Sequence, residues 1–310
     1  MTAPAAKRPG GIHVEVTRPD KLFFPDDGIT KGDLVEYYGS VAPAVIPYLR
    51  DRPLVMGRYP DGIDGQRIVQ KNVSSHFPGW ISRVEVKKRD GVVCHVVCDK
   101  PETLVYLANQ GCVELHAFLS PLSALEAPDQ LVFDLDPPDA ADFGGVCRHA
   151  LDLRELLEGE LGLTAYVKTT GGKGLHVHVP LRPDEDFDAV RGFARDVADL
   201  IVSRSPERLT TEQRKEERGH RLYLDIMRNA YAQMAVAPYS VRARQGAPVA
   251  TPLHWPELDG GLSPRQFTLR TIGDRLARAG DADPWKGMTR HRRGLAAARR
   301  RLAAIRGEEG

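Results

Sequence analysis

Apolar and polar positions follow two periods along this chain, and each period predicts a different kind of element. The stretch IHVEVT at 12–17 alternates like a short strand. Apolar residues then recur at helical spacing, at Leu34, Tyr37, Tyr38 and Val41. A capping box of Thr30 and Asp33 is predicted to begin this helix. The segments PLVMGRYP, WISRVEVKK and GVVCHVVCD predict strands, because proline, glycine and aspartate mark the turns between them.

The second half of the chain predicts a regular order of elements. ETLVYLANQGCVELHAFLS predicts a helix and a strand, and QLVFDLD predicts the next strand. An amphipathic helix then ends at Gly162, and TAYVKTTGG and GLHVHVPL predict two strands around a glycine turn. A second long helix precedes the strand HRLYLDIMR. From QLVFDLD onward the order is strand, helix, strand, strand, helix, strand, which predicts an α+β fold with a split β-α-β, ferredoxin-like core.

Composition limits the kind of protein. Of the 310 residues, 42% are hydrophobic and 27% are charged, as in one large globular domain or two moderate ones. The formal net charge is only +1, so any nucleic-acid role must come from local patches. No signal peptide and no apolar run near the ~20 residues of a membrane span is found. We expect a cytoplasmic protein without a membrane partner, and a disordered tail at 1–11.

The four cysteines are too few to predict a disulfide scaffold in a chain of this size. Cys94 and Cys98 flank His95 in VVCHVVCD, which leaves a zinc site open as an alternative. No second pair of ligands has matching spacing. Cysteines on a core strand are the favoured interpretation.

The stretch LVFDLDPPD ends an apolar strand with two carboxylates, Asp134 and Asp136. Residues two apart on a strand face the same side, with Cα atoms about 7 Å apart. Neighbouring carboxylates resist ionisation unless a cation joins them, and oxygen ligands suit Mg²⁺ or Mn²⁺. Asp225 ends another apolar strand and is the candidate third ligand, with the two strands predicted as central neighbours. An isolated Asp-x-Asp is more often a turn or a helix cap, so the prediction depends on Asp225.

The stretch TTGGKGLHVHVPL at 169–181 predicts a turn that can bind a phosphate. Its glycines leave backbone N–H groups accessible, and Lys173 adds a positive charge. It is not a P-loop, because a strand rather than a helix follows the glycines. His176 and His178 share one face of that strand. The alternative is a packed or surface histidine pair.

Two basic features follow. Arg242 and Arg244 lie two residues apart on a predicted extended segment, so both guanidinium groups are expected to face a phosphate together. The alternative for this pair is a salt bridge to surface carboxylates. The C-terminal stretch WKGMTRHRRGLAAARRRLAAIR predicts a basic helix, either with a solvated face or with affinity for a phosphate backbone.

These motifs occur in an order that resembles the polymerase domain of bacterial ligase D, a member of the archaeo-eukaryotic primase superfamily. The resemblance runs from DKLFFPDDGITKGDLVEYY to PLHWPEL. It implies a primase-polymerase fold with an RRM-like catalytic core and an N-terminal α/β module. It implies one polymerase domain at 12–285, divided into modules at 12–115 and 116–285, with the basic helix at 286–310. No ligase or nuclease motif follows, so a stand-alone polymerase is expected.

The resemblance also implies roles for individual residues. Asp134, Asp136 and Asp225 would bind two catalytic ions, Mn²⁺ or Mg²⁺. The residues implied to contact the nucleotide are His116, Thr170, Lys173, His176, Arg218, Arg242 and Arg244. Those implied to bind a DNA 5′-phosphate are Lys21, Lys31 and Lys71. The family often has an aromatic pair just before Lys71, where this chain has Ile68 and Val69. That change predicts another preferred gap length or a greater reliance on phosphate contacts.

The implied activity is nucleotidyl transfer to a primer 3′-hydroxyl at short gaps or broken DNA ends in repair. A preference for ribonucleotides, good use of Mn²⁺, and a nucleoid-associated location are implied with it. The implied partners are gapped or broken DNA with a 5′-phosphate, nucleoside triphosphates, a separate DNA ligase and a Ku-type end-binding protein. Two alternatives stay open, a non-catalytic DNA-end-binding module and a metal-dependent nuclease that uses the same carboxylates.

Overall fold

A computed structural model describes residues 12–88, 91–139, 142–258, 261–278 and 283–307. The tail predicted at 1–11 lies outside the described residues. Within the described ranges, two six-stranded sheets and a two-stranded ribbon share one principal apolar core. Among the helices of these ranges, none is both long and apolar enough to cross a membrane.

The strands, in chain order, are β1 (Leu22–Phe24), β2 (Ile29–Thr30), β3 (Pro53–Arg58), β4 (Ile68–Gln70), β5 (Arg83–Lys88), β6 (Gly91–Val97), β7 (Cys112–Phe118), β8 (Gln130–Asp136), β9 (Tyr166–Thr169), β10 (Leu175–Pro180), β11 (Leu209–Thr210), β12 (Leu222–Asp225), β13 (Met234–Val236) and β14 (Pro252–Leu253). The helices are α1 (Lys31–Ser40), α2 (Ala42–Leu49), α3 (Pro101–Asn109), α4 (Phe143–Arg154), α5 (Phe187–Arg204), α6 (Ile272–Arg278) and α7 (Ala296–Arg306). A π-helical turn, Glu155–Glu160, continues α4.

The first helix begins where the polar pattern predicts. The Thr30 side chain accepts a hydrogen bond from the backbone N–H of Asp33, and the Asp33 carboxylate accepts one from the N–H of Thr30. This is the predicted capping box, which satisfies two N–H groups that a helix start otherwise leaves without partners. It orients α1 directly after the β1–β2 ribbon, the region that carries Lys21 and Lys31.

The first sheet has the order β13-β7-β3-β6-β5, with β4 paired to β3. The second has the order β11-β12-β8-β10-β9-β14. Its four inner strands, β12-β8-β10-β9, have the ferredoxin-like order, and α4 and α5 are the two crossover helices. Leu131, Phe133 and Leu135 of β8 are buried in the main core, on the side covered by the helices. The alternate residues Asp134 and Asp136 therefore face away from α4 and α5.

Three expectations need correction. Strands β8 and β12 are neighbours, but the centre of the sheet is β8 with β10, because three strands, β10, β9 and β14, follow on the other side of β8 and only β11 lies beyond β12. The module boundary expected at 115/116 falls inside β7. The second part of the chain also contributes β13 to the first sheet, since Met234 pairs with Phe118 and Val236 with His116. The two modules are thus interleaved in sequence.

The C-terminal basic segment is helical over a shorter range than expected. A 3₁₀ turn covers Met288–His291, and α7 begins only at Ala296. Between them the chain runs along the second sheet, where the N–H of Arg293 donates to Pro180 O at 3.3 Å. Helix α7 packs on α5, and Arg299 forms an ion pair with Glu185 at 2.6 Å. This segment is therefore part of the packed domain.

Candidate active site

Three aspartates share one face of the second sheet, at the ends of two neighbouring strands. The β8–β12 ladder places Asp134 directly opposite Asp225, and Asp136 opposite Tyr223. Because side chains two apart on a strand face the same side, Asp136 lies on the face of Asp134. The structure thus brings together the three carboxylates that the sequence analysis selected.

Asp134 is buried between two basic side chains. Its Oδ2 atom lies 3.4 Å from His176 Nε2 and 3.3 Å from Arg228 Nη2. Burial raises the pKa of Asp134, but the contacts with His176 and Arg228 outweigh it and hold the pKa at about 2. The carboxylate is therefore ionised at neutral pH. Burial also lowers the pKa of His176 to about 4.

The other two aspartates have different surroundings. Asp136 Oδ1 lies 3.2 Å from Lys173 Nζ, and its Oδ2 lies 3.8 Å from Arg218 Nη1. Asp225 accepts a hydrogen bond from the backbone N–H of Met227 at 2.7 Å. Burial raises the pKa of Asp225, and the charge of Asp134 across the ladder adds to that increase. A nearby cation would therefore favour the ionised form of Asp225.

The donor set tests whether divalent ions suit this site. No group of three or more His, Cys, Asp or Glu side chains in the described part of the chain is arranged as a metal-holding cluster. Asp134 and Asp136 instead contact Arg228 and Lys173, which balance their charge. The chemistry still fits, because carboxylate oxygens are the ligands that Mg²⁺ and Mn²⁺ prefer. The zinc alternative concerns Cys94, His95 and Cys98. The His95 ring already forms a hydrogen bond through Nδ1 with Leu54 O at 2.9 Å, so this nitrogen is engaged.

The glycine turn joins β9 to β10 beside these carboxylates. The Thr170 hydroxyl donates to Gly174 O at 3.1 Å and accepts from the N–H of Gly172 at 3.2 Å. These two hydrogen bonds stabilise the turn. A Cβ atom on Gly174 would lie 2.0 Å from Leu135 O. This close approach requires glycine. Lys173 reaches back to the carbonyl of Pro137, so the turn is tied to the end of β8.

Arg242 is anchored between the two sheets. Its Nε donates to Glu114 Oε1 at 2.9 Å, and its Nη1 donates to Thr170 O at 2.8 Å. The predicted extended path ends here, because the N–H of Arg244 donates to Arg242 O at 2.8 Å and the chain turns. Arg244 is consequently exposed while Arg242 is half-buried. The carboxylate partner of Arg242 is a buried one rather than the surface acid considered as the alternative.

His116 lies on β7 of the first sheet, and Arg218 precedes β12 of the second. His116 Nε2 lies 3.6 Å from Glu114 Oε2, and burial lowers the pKa of His116. Arg218 stacks its guanidinium over the Tyr223 ring, 3.7 Å from the ring centroid. This contact holds Arg218 close to Asp136.

A row of polar residues crosses four strands on this face. Lys168 pairs with His176, His176 with Asp134, and Asp134 with Asp225. Lys168 is fully buried, and its Nζ has no hydrogen-bond partner among the described residues. Burial, followed by the charge of Arg242, holds the pKa of Lys168 well below its usual range.

The three lysines implied to bind a 5′-phosphate fall into two places. Lys21 and Lys31 meet at the β1–β2 ribbon, where the N–H of Lys31 donates to Lys21 O at 2.8 Å. Burial lowers the pKa of Lys31, and the charges of Arg18 and Lys21 lower it further. Lys71 is exposed and follows β4 in the first sheet. On β4 itself, Ile68 and Val69 are 40% and 53% exposed.

Four residues with contacts at these places escaped the sequence analysis. Arg228 follows Asp225 by three residues, and that spacing was the only available signal. Glu114 precedes His116 by two residues on β7, so alternation could have placed it on the same face. Lys168 and Arg18 gave no sequence signal, because only strand register and the fold of the ribbon place them near the other residues.

A ferredoxin-like sheet that carries aspartates at two strand ends, beside a glycine turn and an anchored arginine, defines the class as a nucleotidyltransferase of the primase-polymerase type. The family model described as "LigD, primase-polymerase domain" matches residues 30–285. The chain belongs to the LigD primase-polymerase domain family.

Individual relatives agree with this family. The chain is 32% identical over 268 residues to the bifunctional non-homologous end joining protein LigD of Bacillus subtilis, covering 86% of this chain and 43% of that protein. It is 34% identical over 297 residues to the multifunctional non-homologous end joining protein LigD of Pseudomonas aeruginosa, covering 96% of this chain and 35% of that protein. The chain therefore spans less than half the length of these relatives.

A solved structure is similar over most of the chain. It is the polymerase domain from Mycobacterium tuberculosis ligase D in complex with DNA, with a TM-score of 0.82 and 29% sequence identity. The match covers 90% of this chain and 98% of that one. The primase-polymerase fold expected from the sequence is confirmed.

Proposed function

We propose that this chain is a template-directed polymerase that adds nucleotides to a primer 3′-hydroxyl at short gaps or broken DNA ends in non-homologous end joining. The observation that carries the proposal is the cross-strand pair of Asp134 and Asp225 beside the Thr170 turn and Arg242. The names of the LigD relatives and the DNA in the similar structure support the DNA substrate and the repair process.

The carboxylates of Asp134, Asp136 and Asp225 would hold two divalent ions, Mn²⁺ or Mg²⁺. When bound, such ions favour loss of the primer hydroxyl proton and neutralise the charge that develops on the phosphates. Lys173 and Arg228 balance the carboxylates in the structure, and they would be available for phosphate oxygens if ions took over that role. Arg242, with two of its five N–H donors engaged, retains donors for the triphosphate.

The remaining nucleotide contacts are proposed for His116, Thr170, His176, Arg218 and Arg244, which surround this region. A 5′-phosphate would bind at Lys21 and Lys31, with Lys71 as a further contact. Lys31 lies near Arg18 and Lys21, and a phosphate bound there would take the place of the contacts that Lys21 makes with Asp61 and Lys31 makes with Thr17. A preference for ribonucleotides and cooperation with a DNA ligase and a Ku-type protein rest on family membership.

A gapped duplex with a 5′-phosphate downstream of the gap tests the proposal. The protein is incubated with this duplex, Mn²⁺ and either labelled ribonucleotides or labelled deoxyribonucleotides, beside an Asp134→Ala variant. We expect extension of the primer by the wild type alone, and more of it with ribonucleotides. Shortened strands would identify a nuclease, and a gel shift without any change in length would identify a binding module. Extension that survives in Asp134→Ala would contradict the site assignment.

A further inference from the structure

Glu114 is a buried carboxylate with cations on several sides, and no role has been assigned to it so far. Only 4% of the residue is exposed. Its Oε1 accepts from Arg242 Nε at 2.9 Å, and its Oε2 accepts from Arg67 Nη2 at 3.0 Å. His116 Nε2 lies 3.6 Å from the same Oε2. Two residues of the proposed nucleotide site therefore meet at this one carboxylate.

The sheet is shaped to admit this side chain. Gly57 on β3 lies directly opposite Glu114 on β7. A Cβ atom on Gly57 would lie 2.9 Å from Glu114 Cβ and 3.0 Å from Oε2, closer than side-chain atoms normally pack. Burial raises the pKa of Glu114, but contacts with His116 and Arg242 outweigh it and hold the pKa well below its usual range. The carboxylate thus carries its charge at neutral pH.

The orientation of Arg242 depends on two anchors from different sheets. Glu114, on β7 of the first sheet, fixes Nε, and the carbonyl of Thr170, at the end of β9 in the second, fixes Nη1. The glycine turn packs against the same side chain, since a Cβ on Gly171 would lie 2.7 Å from Arg242 Cγ. Without Glu114, only the Thr170 carbonyl holds the guanidinium of Arg242, which sits at the end of a side chain with several rotatable bonds.

We propose that Glu114 is a positioning residue for the nucleoside triphosphate: it fixes the guanidinium of Arg242 in the arrangement that binds the nucleotide. The inference rests on the proposed function and deepens it. Loss of the Glu114 charge would make the subsite more positive, which favours an anion. Arg242 and Arg67, however, are both held by this carboxylate, and without its charge their guanidinium groups lose their strongest partner at the site. The loss of orientation therefore dominates.

The test measures triphosphate binding without a primer, so that no extension occurs. The dissociation constant of ATP is measured in the presence of Mg²⁺ for the wild type and for Glu114→Gln, which keeps the shape and removes the charge. A glutamine has only one acceptor oxygen, so its NH2 group must face either Arg242 or Arg67, and one of the two charged contacts is lost. We expect binding about tenfold weaker or more in the variant. Arg242→Gln should weaken binding too, and Glu114→Gln should add little in the double variant, because both act through one guanidinium.

Asp129→Asn is the matched control. Asp129 is also a buried carboxylate and contacts Arg52 at 2.7 Å as well as Arg292, but it lies outside the proposed nucleotide contacts. We expect this variant to unfold at a lower temperature and to bind ATP like the wild type. If Glu114→Gln does not fold, Gly57→Ala supplies the test, because it displaces Glu114 while leaving every charge in place, and it should weaken ATP binding as well.

The outcomes separate this inference from the proposed function. ATP binding within twofold of wild type in folded Glu114→Gln, or in Gly57→Ala where that variant replaces it, overturns the positioning role alone. Fully additive losses in the double variant, or an equal loss in Asp129→Asn, overturn it as well. A wild type that binds no ATP overturns the proposed function together with the inference.

Discussion

Asp134 and Asp225 are cross-strand partners that carry opposite pKa shifts. They face each other across the β8–β12 ladder, yet the pKa of Asp134 is about 2, whereas that of Asp225 is raised. Arg228 and His176 contact the Asp134 carboxylate. The backbone N–H of Met227 and the Tyr223 hydroxyl donate hydrogen bonds to Asp225. A divalent ion shared by the pair would favour the ionised form of Asp225 and offset the repulsion from Asp134.

Divalent ions should stabilise the protein through this pair. At a concentration 100-fold above the dissociation constant, an ion that binds only the folded state adds about 2.7 kcal/mol to the free energy of unfolding. We expect Mn²⁺ to raise the unfolding temperature by several degrees in the wild type and by much less in Asp225→Asn. Differential scanning fluorimetry measures both. Glu85→Gln, which changes an exposed carboxylate on β5, should respond like the wild type.

Gly174→Ala should damage the glycine turn. The new Cβ would lie 2.0 Å from Leu135 O, so the turn and the end of β8 must move apart. We expect a loss of about 1–3 kcal/mol in the free energy of unfolding and a large loss of primer extension, because Lys173 and Asp136 no longer keep their spacing. Denaturant titration and a gap-filling assay check the two expectations.

Gly192→Ala is the control for that substitution. Gly192 lies inside α5, and a Cβ there meets nothing within 4 Å. Alanine in a helix interior is more favourable than glycine by about 1 kcal/mol. We expect this variant to be more stable than the wild type and equally active. A loss of activity in both glycine variants would show that the effect of Gly174→Ala is not specific to the turn.

Aromatic residues on β4 should tighten DNA binding. Ile68 and Val69 are exposed next to Lys71, and stacking of a base on an aromatic ring contributes about 1–3 kcal/mol. We expect the double variant Ile68→Phe/Val69→Phe to bind a gapped duplex about tenfold more tightly, measured by fluorescence anisotropy. Leu151→Phe, at an exposed position on α4, should leave the affinity unchanged. Equal affinity of the β4 variant and the wild type would show that β4 does not contact bases.

Lys168→Met should change how stability depends on pH. Burial lowers the pKa of Lys168 in the folded state, while the unfolded chain has a value of about 10.4. Between these two values the unfolded state binds more protons, so the wild type becomes more stable as pH rises. The variant lacks this increment and should be more stable than the wild type at pH 7 by about 1–3 kcal/mol, because no buried amine is left without a partner. Denaturant unfolding at pH 7 and pH 9 should show the difference shrinking, and a constant difference would contradict the lowered pKa of Lys168.

Local patterns predicted much of the fold and part of the site. Alternation and turn residues were enough to find β8, β10 and β12, and the polar pair Thr30 and Asp33 predicted the start of α1. Asp134, Asp136 and Asp225 were found because charged residues at the ends of apolar strands are rare enough to be informative.

What the sequence analysis missed depends on contacts between distant segments. Strand pairing decides the register that places Lys168 beside His176. The packing of the two sheets decides the contact between Glu114 and Arg242. The length of the last helix was overestimated, because a basic, alanine-rich pattern does not reveal that Arg293 pairs with the backbone of Pro180. The central position of β10 was missed since order within a sheet is a tertiary property.

The most direct test of the account is the rate of single-nucleotide addition to a 5′-phosphorylated gapped duplex, measured with and without Mn²⁺. Wild type, Asp134→Asn, Asp225→Asn and the double variant are compared. We predict that addition requires the ion, that each single variant loses at least about a thousandfold in rate, and that the double variant loses little more, because groups that act as one unit are not additive. Ion-independent addition by the wild type, or a rate in Asp225→Asn close to that of the wild type, would contradict the assignment of these two aspartates to one catalytic site.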